Sequence, residues 1–267
     1  DVDFSGDGFA NVLNLSLLSP ASSPSSESDP DIQVSNLIAD LTVRLYSGAG
    51  CTGFLGAPVS SGSTLDFNPS LSEGSYQFHA RVEDDYGNLS TCSVSNVPYE
   101  YDGTNPNAPG VPVLSSSFTT FSNSSPTFNW SHSGSGDVVD YEVGLSTSAA
   151  GGNATAGWTS KGYVTFANHT GVSLSECTDY YVSVRAVDHV NLNSSHSVSA
   201  TTFRYDSAVP TAPSGLAEGG DATDTNSATI DWNASSDNCG IDYYEAAISE
   251  DVNMNGVLDG GEIGNVV

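Results

Sequence analysis

The chain has 267 residues, with 5 Lys and Arg against 32 Asp and Glu, for a formal net charge of −27. A surface this negative repels phosphate backbones and anionic membranes, which argues against nucleic-acid partners and membrane insertion and favours cations. Charged residues make up only 14% and hydrophobic ones 37%, too little charge for a disordered acidic tail and enough apolar content for modest cores. One Met and one Lys, Lys161, argue against helical architectures, and the length suits two to three domains of about 100 residues.

In chain order, residues 1–9 carry Asp1, Asp3 and Asp7 among Gly6 and Gly8. With Asn11 they faintly resemble a calcium loop, but no carboxylate stands where a bidentate ligand would close it. They read as a linker or the end of a preceding domain. The first domain spans residues 10–101, with a Ser- and Pro-rich loop at 19–30. Leu41, Val43 and Leu45 alternate with polar neighbours, as a half-buried strand does. Gly48-Ala-Gly50-Cys-Thr-Gly53 fits G-x-G-x-x-G, yet Phe54-Leu55-Gly56-Ala57-Pro58 cannot begin the helix that a dinucleotide site requires, so it reads as a hairpin loop. Tyr76, Phe78, Ala80 and Val82 alternate with Gln77, His79 and Arg81, which puts His79 on the outward face.

Residues 102–107 form a proline-stiffened linker to a second domain at 108–205. There, Val139, Tyr141, Val143 and Leu145 form one inward-facing set, and Tyr180, Val182, Val184 and Ala186 another. A second linker, 206–211, leads to residues 212–267. That segment holds the opening strands of a third domain: Thr229-Ile230-Asp231-Trp232 repeats Thr127-Phe128-Asn129-Trp130, and Tyr244-Glu245-Ala246 repeats Tyr141-Glu142-Val143. Half a sandwich exposes its core, so we expect it to be completed by chain beyond Val267 or by strands from another molecule.

A single offset of 104 residues lays Tyr76 on Tyr180, Arg81 on Arg185, Asp84 on Asp188, Ser90 on Ser194, Asp102 on Asp206 and Pro109 on Pro213 without a gap. One supersecondary unit therefore occurs twice. Gly87 falls on Asn191, the two residue types that best tolerate a left-handed turn.

Near the C-terminus, Asp251, Asn253, Asn255, Gly256, Asp259 and Glu262 satisfy D-x-[DN]-x-[DN]-G-x5-E. Side chains of Asp251, Asn253, Asn255 and Asp259, the carbonyl of Val257 and a bidentate Glu262 would give Ca2+ its oxygens, with Gly256 at the sharp turn. The flanks read as strand rather than helix, so the loop is EF-hand-like and inserted in a strand connection. An acidic hairpin turn is the plain alternative. The five histidines are scattered, and no nucleophile elbow, H-E-x-x-H or phosphate loop occurs, so no enzyme is expected in this chain.

The second and third units resemble fibronectin type III domains. Trp130 and Trp232 match the tryptophan of the second strand, Tyr141 and Tyr244 the tyrosine of the third, and Leu174, Thr178 and Tyr180 the entry to the sixth. The first unit resembles bacterial Ig-like repeats through Leu41-Thr-Val-Arg-Leu-Tyr46, Cys51-Thr-Gly53 and Gly87-Asn-Leu-Ser90 with Cys92. The resemblance implies an all-β chain of tandem antiparallel Ig-like and fibronectin III-like sandwiches in an extended rod, the third incomplete. Within that frame Cys51 and Cys92 are the pair of one domain. Cys177 and Cys239 sit at facing ends of neighbours, which predicts a bridge across the junction; pairing of Cys239 with a cysteine beyond Val267 is the alternative. Widely spaced, even-numbered cysteines favour an oxidising, extracytoplasmic location.

The function implied is an extracellular structural or adhesive rod or filament module of a bacterial surface protein, stiffened by calcium. Its partners would be other copies or domains of the same protein, or a host or prey surface glycan or protein. The alternative is an accessory spacer or carbohydrate-binding module of a secreted polysaccharide-active enzyme, for which Trp158, Tyr163 and Tyr181 are candidate platform residues.

Overall fold

Alternation in the sequence becomes alternation of burial. In the computed structural model, which describes residues 13–38, 40–59, 62–84, 86–116, 120–121, 126–218 and 230–246, every regular element is a strand. The first domain contains β1 (Asn14–Ser19), β2 (Asp31–Ser35), β3 (Thr42–Gly48), β4 (Thr52–Gly56), β5 (Thr64–Phe67), β6 (Gly74–Glu83) and β7 (Val97–Tyr101). One antiparallel sheet has the order β1-β2-β5 and the other β4-β3-β6-β7. Ile32 and Val34 of one sheet meet Val43, Leu45, Phe78 and Ala80 of the other, all at 0% exposure. Each of these side chains other than Ala80 contributes about 1.5–3 kcal/mol through burial. The loop around Gly50 closes the β3–β4 hairpin.

His79 departs from its expected outward place and is buried. The chain before β7 folds back along β6: Ser93 donates its N–H to the Ala80 carbonyl at 3.0 Å, and the His79 Nδ1 lies 3.1 Å from the Ser93 carbonyl oxygen. An outward face was therefore covered by the protein's own loop.

The second domain repeats the plan with β8 (Val113–Leu114), β9 (Thr120–Phe121), β10 (Thr127–Asn129), β11 (Val138–Ser146), β12 (Ala156–Ser160), β13 (Phe166–Asn168), β14 (Thr178–Asp188), β15 (Ser197–Val198) and β16 (Phe203–Tyr205). Its sheets run β13-β10-β8 and β12-β11-β14-β16-β9, with β15 also on β14. The first strand crosses between sheets, since β8 pairs with β10 while β9 pairs in parallel with β16. Phe128, Trp130, Tyr141, Val182, Val184 and Phe203 fill the core. Val139, expected to face inward, is 52% exposed and Val138 is buried in its place. A bulge between Val138 and Asp140 against β14 shifts the alternation by one.

The repeated residues do the same work in both domains. Ser90 and Ser194 are buried, and their hydroxyls accept the N–H groups of Val82 at 3.1 Å and Ala186 at 2.8 Å. Tyr180 accepts the Ser175 N–H at 2.8 Å through its hydroxyl, and the Tyr76 hydroxyl donates to the Ser72 carbonyl, so each ring ties the loop that enters the long strand. At the far end of that strand Gly87 and Asn191 take φ of 83° and 67°. The left-handed turns expected there are formed.

In the third unit β17 (Ser214–Glu218) pairs with β18 (Ile230–Asn233). Trp232 lies 5.5 Å from Tyr244, and the Ser235 N–H donates to the Tyr244 hydroxyl at 2.9 Å. The same contacts in the second domain are 6.0 Å for Trp130–Tyr141 and 2.8 Å for Ser133 to the Tyr141 hydroxyl. Tyr141 is completely buried. Replacing it with Phe leaves the buried Ser133 N–H without its acceptor, so unfolding of the second domain in urea should lose about 1–3 kcal/mol. A loss under about 0.5 kcal/mol would mean that the hydroxyl contributes nothing.

Candidate functional site at the domain junctions

The sequence placed its metal ligands at Asp251, Asn253, Asn255, Val257, Asp259 and Glu262, and these lie outside the described residues, as do Asp1, Asp3, Asp7 and Asn11. What the described residues do build is a pair of structured junctions. The first begins where β7 ends. Asp102 donates its N–H to the Ser25 carbonyl at 3.0 Å, which holds the exit of the first domain. Five residues on, Asn107 donates its N–H to Ser135 Oγ at 2.8 Å and its carbonyl accepts the Ser133 hydroxyl at 2.7 Å. The Gly110 N–H then donates to the Ser131 carbonyl at 3.0 Å, and the Pro109 carbonyl accepts the Ser197 hydroxyl at 2.6 Å. Pro106, Pro109 and Pro112 are buried. Proline fixes φ, and hydrogen bonds to the second domain fix the rest, so little of this linker is free to pivot.

The second junction repeats the linker contact and adds a covalent one. Thr211 and Ser236 exchange hydrogen bonds, Thr211 N–H to the Ser236 carbonyl at 2.9 Å and Ser236 N–H to Thr211 Oγ1 at 2.8 Å. Cys177, just before β14, is bonded to Cys239 of the third unit with Cα atoms 5.0 Å apart. Cys51 and Cys92 form the other bridge, within the first domain, with Cα atoms 5.8 Å apart. Glu176 accepts from the Ser207 hydroxyl and from its N–H at 2.9 Å, and these bonds hold its carboxyl below the usual range. Burial, with the charges of Asp237 and Glu176 beside it, pushes the Asp206 carboxyl up.

Each histidine has a packing or hydrogen-bonding role. His132 stacks on Tyr163 at 4.4 Å, His196 packs on Trp158 at 5.8 Å, and His189 faces Asp102 at 3.7 Å. His169 is buried near Thr159, and that burial lowers its pKa. The three candidate platform aromatics are not brought together by their contacts: Trp158 lies 4.5 Å from the Arg185 guanidinium, Tyr163 stacks on His132 and Tyr141, and Tyr181 lines a groove with Asp179 and Arg204. Sequence reasoning missed the junction contacts because Asn107, Ser133, Ser135 and Ser197 are ordinary polar residues scattered over the chain.

Among solved structures, the fibronectin(III)-like modules of Clostridium thermocellum CbhA superpose with a TM-score of 0.41 at 12% identity, covering 72% of this chain and 94% of theirs. A two-domain fibronectin type-III segment from chicken tenascin gives a TM-score of 0.30 at 15% identity, over 72% of this chain and 97% of its own. No family model and no curated protein matches the sequence.

Trypsin can cut after Arg44, Arg81, Lys161, Arg185 and Arg204, which separates all four cysteines. Under non-reducing conditions, mass spectrometry should recover peptide 162–185 joined to 205–267, and 45–81 joined to 82–161. A free thiol on peptide 162–185 would contradict the junction bridge. Replacing both Cys51 and Cys92 with Ser opens a loop spanning 41 residues and should cost the first domain about 2–4 kcal/mol in a denaturant titration.

Proposed function

We propose that the chain is a non-catalytic extracellular structural module: a stiff spacer within a rod or filament at a bacterial surface, contacting other copies or domains of the same protein. The observation that carries this reading is the junction, where Asp102 is hydrogen-bonded to the first domain, Asn107, Pro109 and Gly110 to the second, and a disulfide crosses to the third. A tether that must swing has no use for such bonds. Two disulfides also fit an oxidising compartment outside the cytoplasm, and no helix among the described residues is long and apolar enough to cross a membrane. Small-angle scattering of the intact chain should give one elongated body whose dimensions are unchanged by dilution. A broad ensemble of domain arrangements would count against the spacer.

Calcium at residues 251–262 belongs to the same reading, as a stiffener of the third unit. Calorimetric titration of the full chain should show calcium binding that Glu262→Gln weakens by at least about tenfold, since the change removes charge and bidentate reach together. Absence of any effect of Glu262→Gln would remove the loop from the account. The accessory-module reading draws on Tyr163, a ring 54% exposed and held flat against His132. A glycan array showing polysaccharide binding that Tyr163→Ala abolishes would favour it over a plain spacer.

A further inference from the structure

Two carboxylates and a histidine meet where the first domain joins the second, and the charge of a third carboxylate, Asp188, bears on them. Asp102 follows β7 of the first domain, Asp137 precedes β11 of the second, and Asp188 ends β14. Asp188 is 0% exposed and Asp102 7%. One oxygen of each is occupied: Asp102 Oδ1 accepts the Thr104 N–H at 3.2 Å, and Asp188 Oδ1 accepts the N–H groups of Val190 and Leu192, each at 2.9 Å. The remaining oxygens, Asp102 Oδ2 and Asp188 Oδ2, are enclosed by protein without a hydrogen bond, and so is Asp137 Oδ1. Ligand atoms of Asp102, Asp137 and His189 all lie within 4.8 Å of one another. The charges of both Asp188 and Asp137 bear on Asp102.

The internal repeat shows what has been withdrawn. In the first domain the counterpart of Asp188 is Asp84, whose Oδ2 accepts the Asn88 side-chain amide at 2.8 Å. At the matching position the second domain has Leu192, whose side chain donates nothing. The donor is missing at an end of the domain that faces a neighbour. A buried carboxylate without a donor must take up a proton or find a countercharge. The chain's five Lys and Arg lie elsewhere: Arg44 on Glu83, Arg185 on Glu142, Arg204 on Asp179, Arg81 over Tyr46 and Lys161 near His169. His189, 3.7 Å from Asp102 and 3.9 Å from Glu100, offers one charge at most, and only when protonated.

We propose that Asp102, Asp137 and Asp188 form a calcium site at the junction of the first and second domains, separate from the loop at residues 251–262. The adjoining oxygens of Asp102 and Asp137, with the buried, unpartnered Oδ2 of Asp188 as a third donor, suit a hard cation that completes its shell with carbonyls and water. His189 belongs to the same cluster, but calcium prefers oxygen donors and would leave its ring nitrogen outside the shell. The pattern recurs at the next junction, where Asp206, the repeat mate of Asp102, and Asp237, which follows β18, leave Oδ1 and Oδ2 respectively buried and unpartnered. Cys239, which lies close to Asp206 and Glu176, is held in its disulfide and offers no thiolate.

The claim concerns binding and does not depend on the spacer reading, since it is read by titration and not by molecular shape. The test uses the full chain with Glu262→Gln, which weakens the C-terminal loop, and compares it with the same chain carrying Asp188→Asn or Asp137→Asn. Titration with calcium chloride should give one equivalent fewer in each double variant, and only the parent should show calcium-dependent shifts of the Val190 and Leu192 amide resonances. In chelator the Asp188→Asn protein should melt no lower than its parent, because a buried unpaired charge has gone; in millimolar calcium the parent should melt higher. Asp137 is only half-buried, so its variant keeps the test intact if Asp188→Asn fails to fold. His189→Gln should leave calcium affinity within about threefold. Unchanged stoichiometry in Asp188→Asn and Asp137→Asn would overturn the site. So would zinc binding about tenfold tighter than calcium and lost with His189→Gln, which would mark a histidine-centred site instead.

Discussion

A chain segment between two sandwiches has no sheet to take its backbone hydrogen bonds, and whoever takes them decides whether the joint bends. In this molecule the first domain takes them at Asp102 and the second from Asn107 onward. Asn107 gives both its N–H and its carbonyl to Ser135 and Ser133, Gly110 bonds to Ser131, and Ser197 reaches back to the Pro109 carbonyl. These partners lie before β11 and on β15, so the linker is packed onto the same end of the domain that begins its third strand. Prolines at 106, 109 and 112 remove what freedom remains. From this arrangement the rest follows: the exit of one sandwich is fixed against the entry of the next, and side chains from both can share an enclosed space.

Charge distribution fits that geometry. The few cations are placed within domains, where Arg44 pairs with Glu83 and Arg185 with Glu142 across neighbouring strands of the central sheets. Both pairs are partly exposed, so solvent screens them and they add little to stability. The acidic surplus is left to the surface and the junctions. Self-repulsion of that kind discourages sideways association of the domains.

Much of the fold was legible in the sequence because a strand advertises itself by alternation and a repeat by register. Tyr76, Phe78, Ala80 and Val82 announced β6, and the same register announced β14; Gly87 and Asn191 announced the turns. The two disulfides were legible once the cysteines could be assigned to domains. The exceptions have physical causes. His79 looked outward because alternation is blind to a loop folding back over a strand, which the Ser93 contact to Ala80 brings about. Val139 looked inward because one extra residue at the bulge puts the strand before it out of step with Tyr141, Val143 and Leu145, and no spacing in the sequence marks a bulge without a glycine. The junction acids were illegible for a third reason. Asp102, Asp137 and Asp188 lie far apart in the chain and meet through tertiary structure, whereas the motif at 251–262 is contiguous and so was read at once.

The central claim is that the first junction is a built element and not a hinge. Backbone ¹⁵N relaxation on the oxidised chain tests it most directly. If the linker is held as described, residues 103–110 should show order parameters close to those of the strands, about 0.85, and the first and second domains should tumble with one common diffusion tensor. Order parameters below about 0.6 across residues 103–110, with a separate correlation time for each domain, would contradict it.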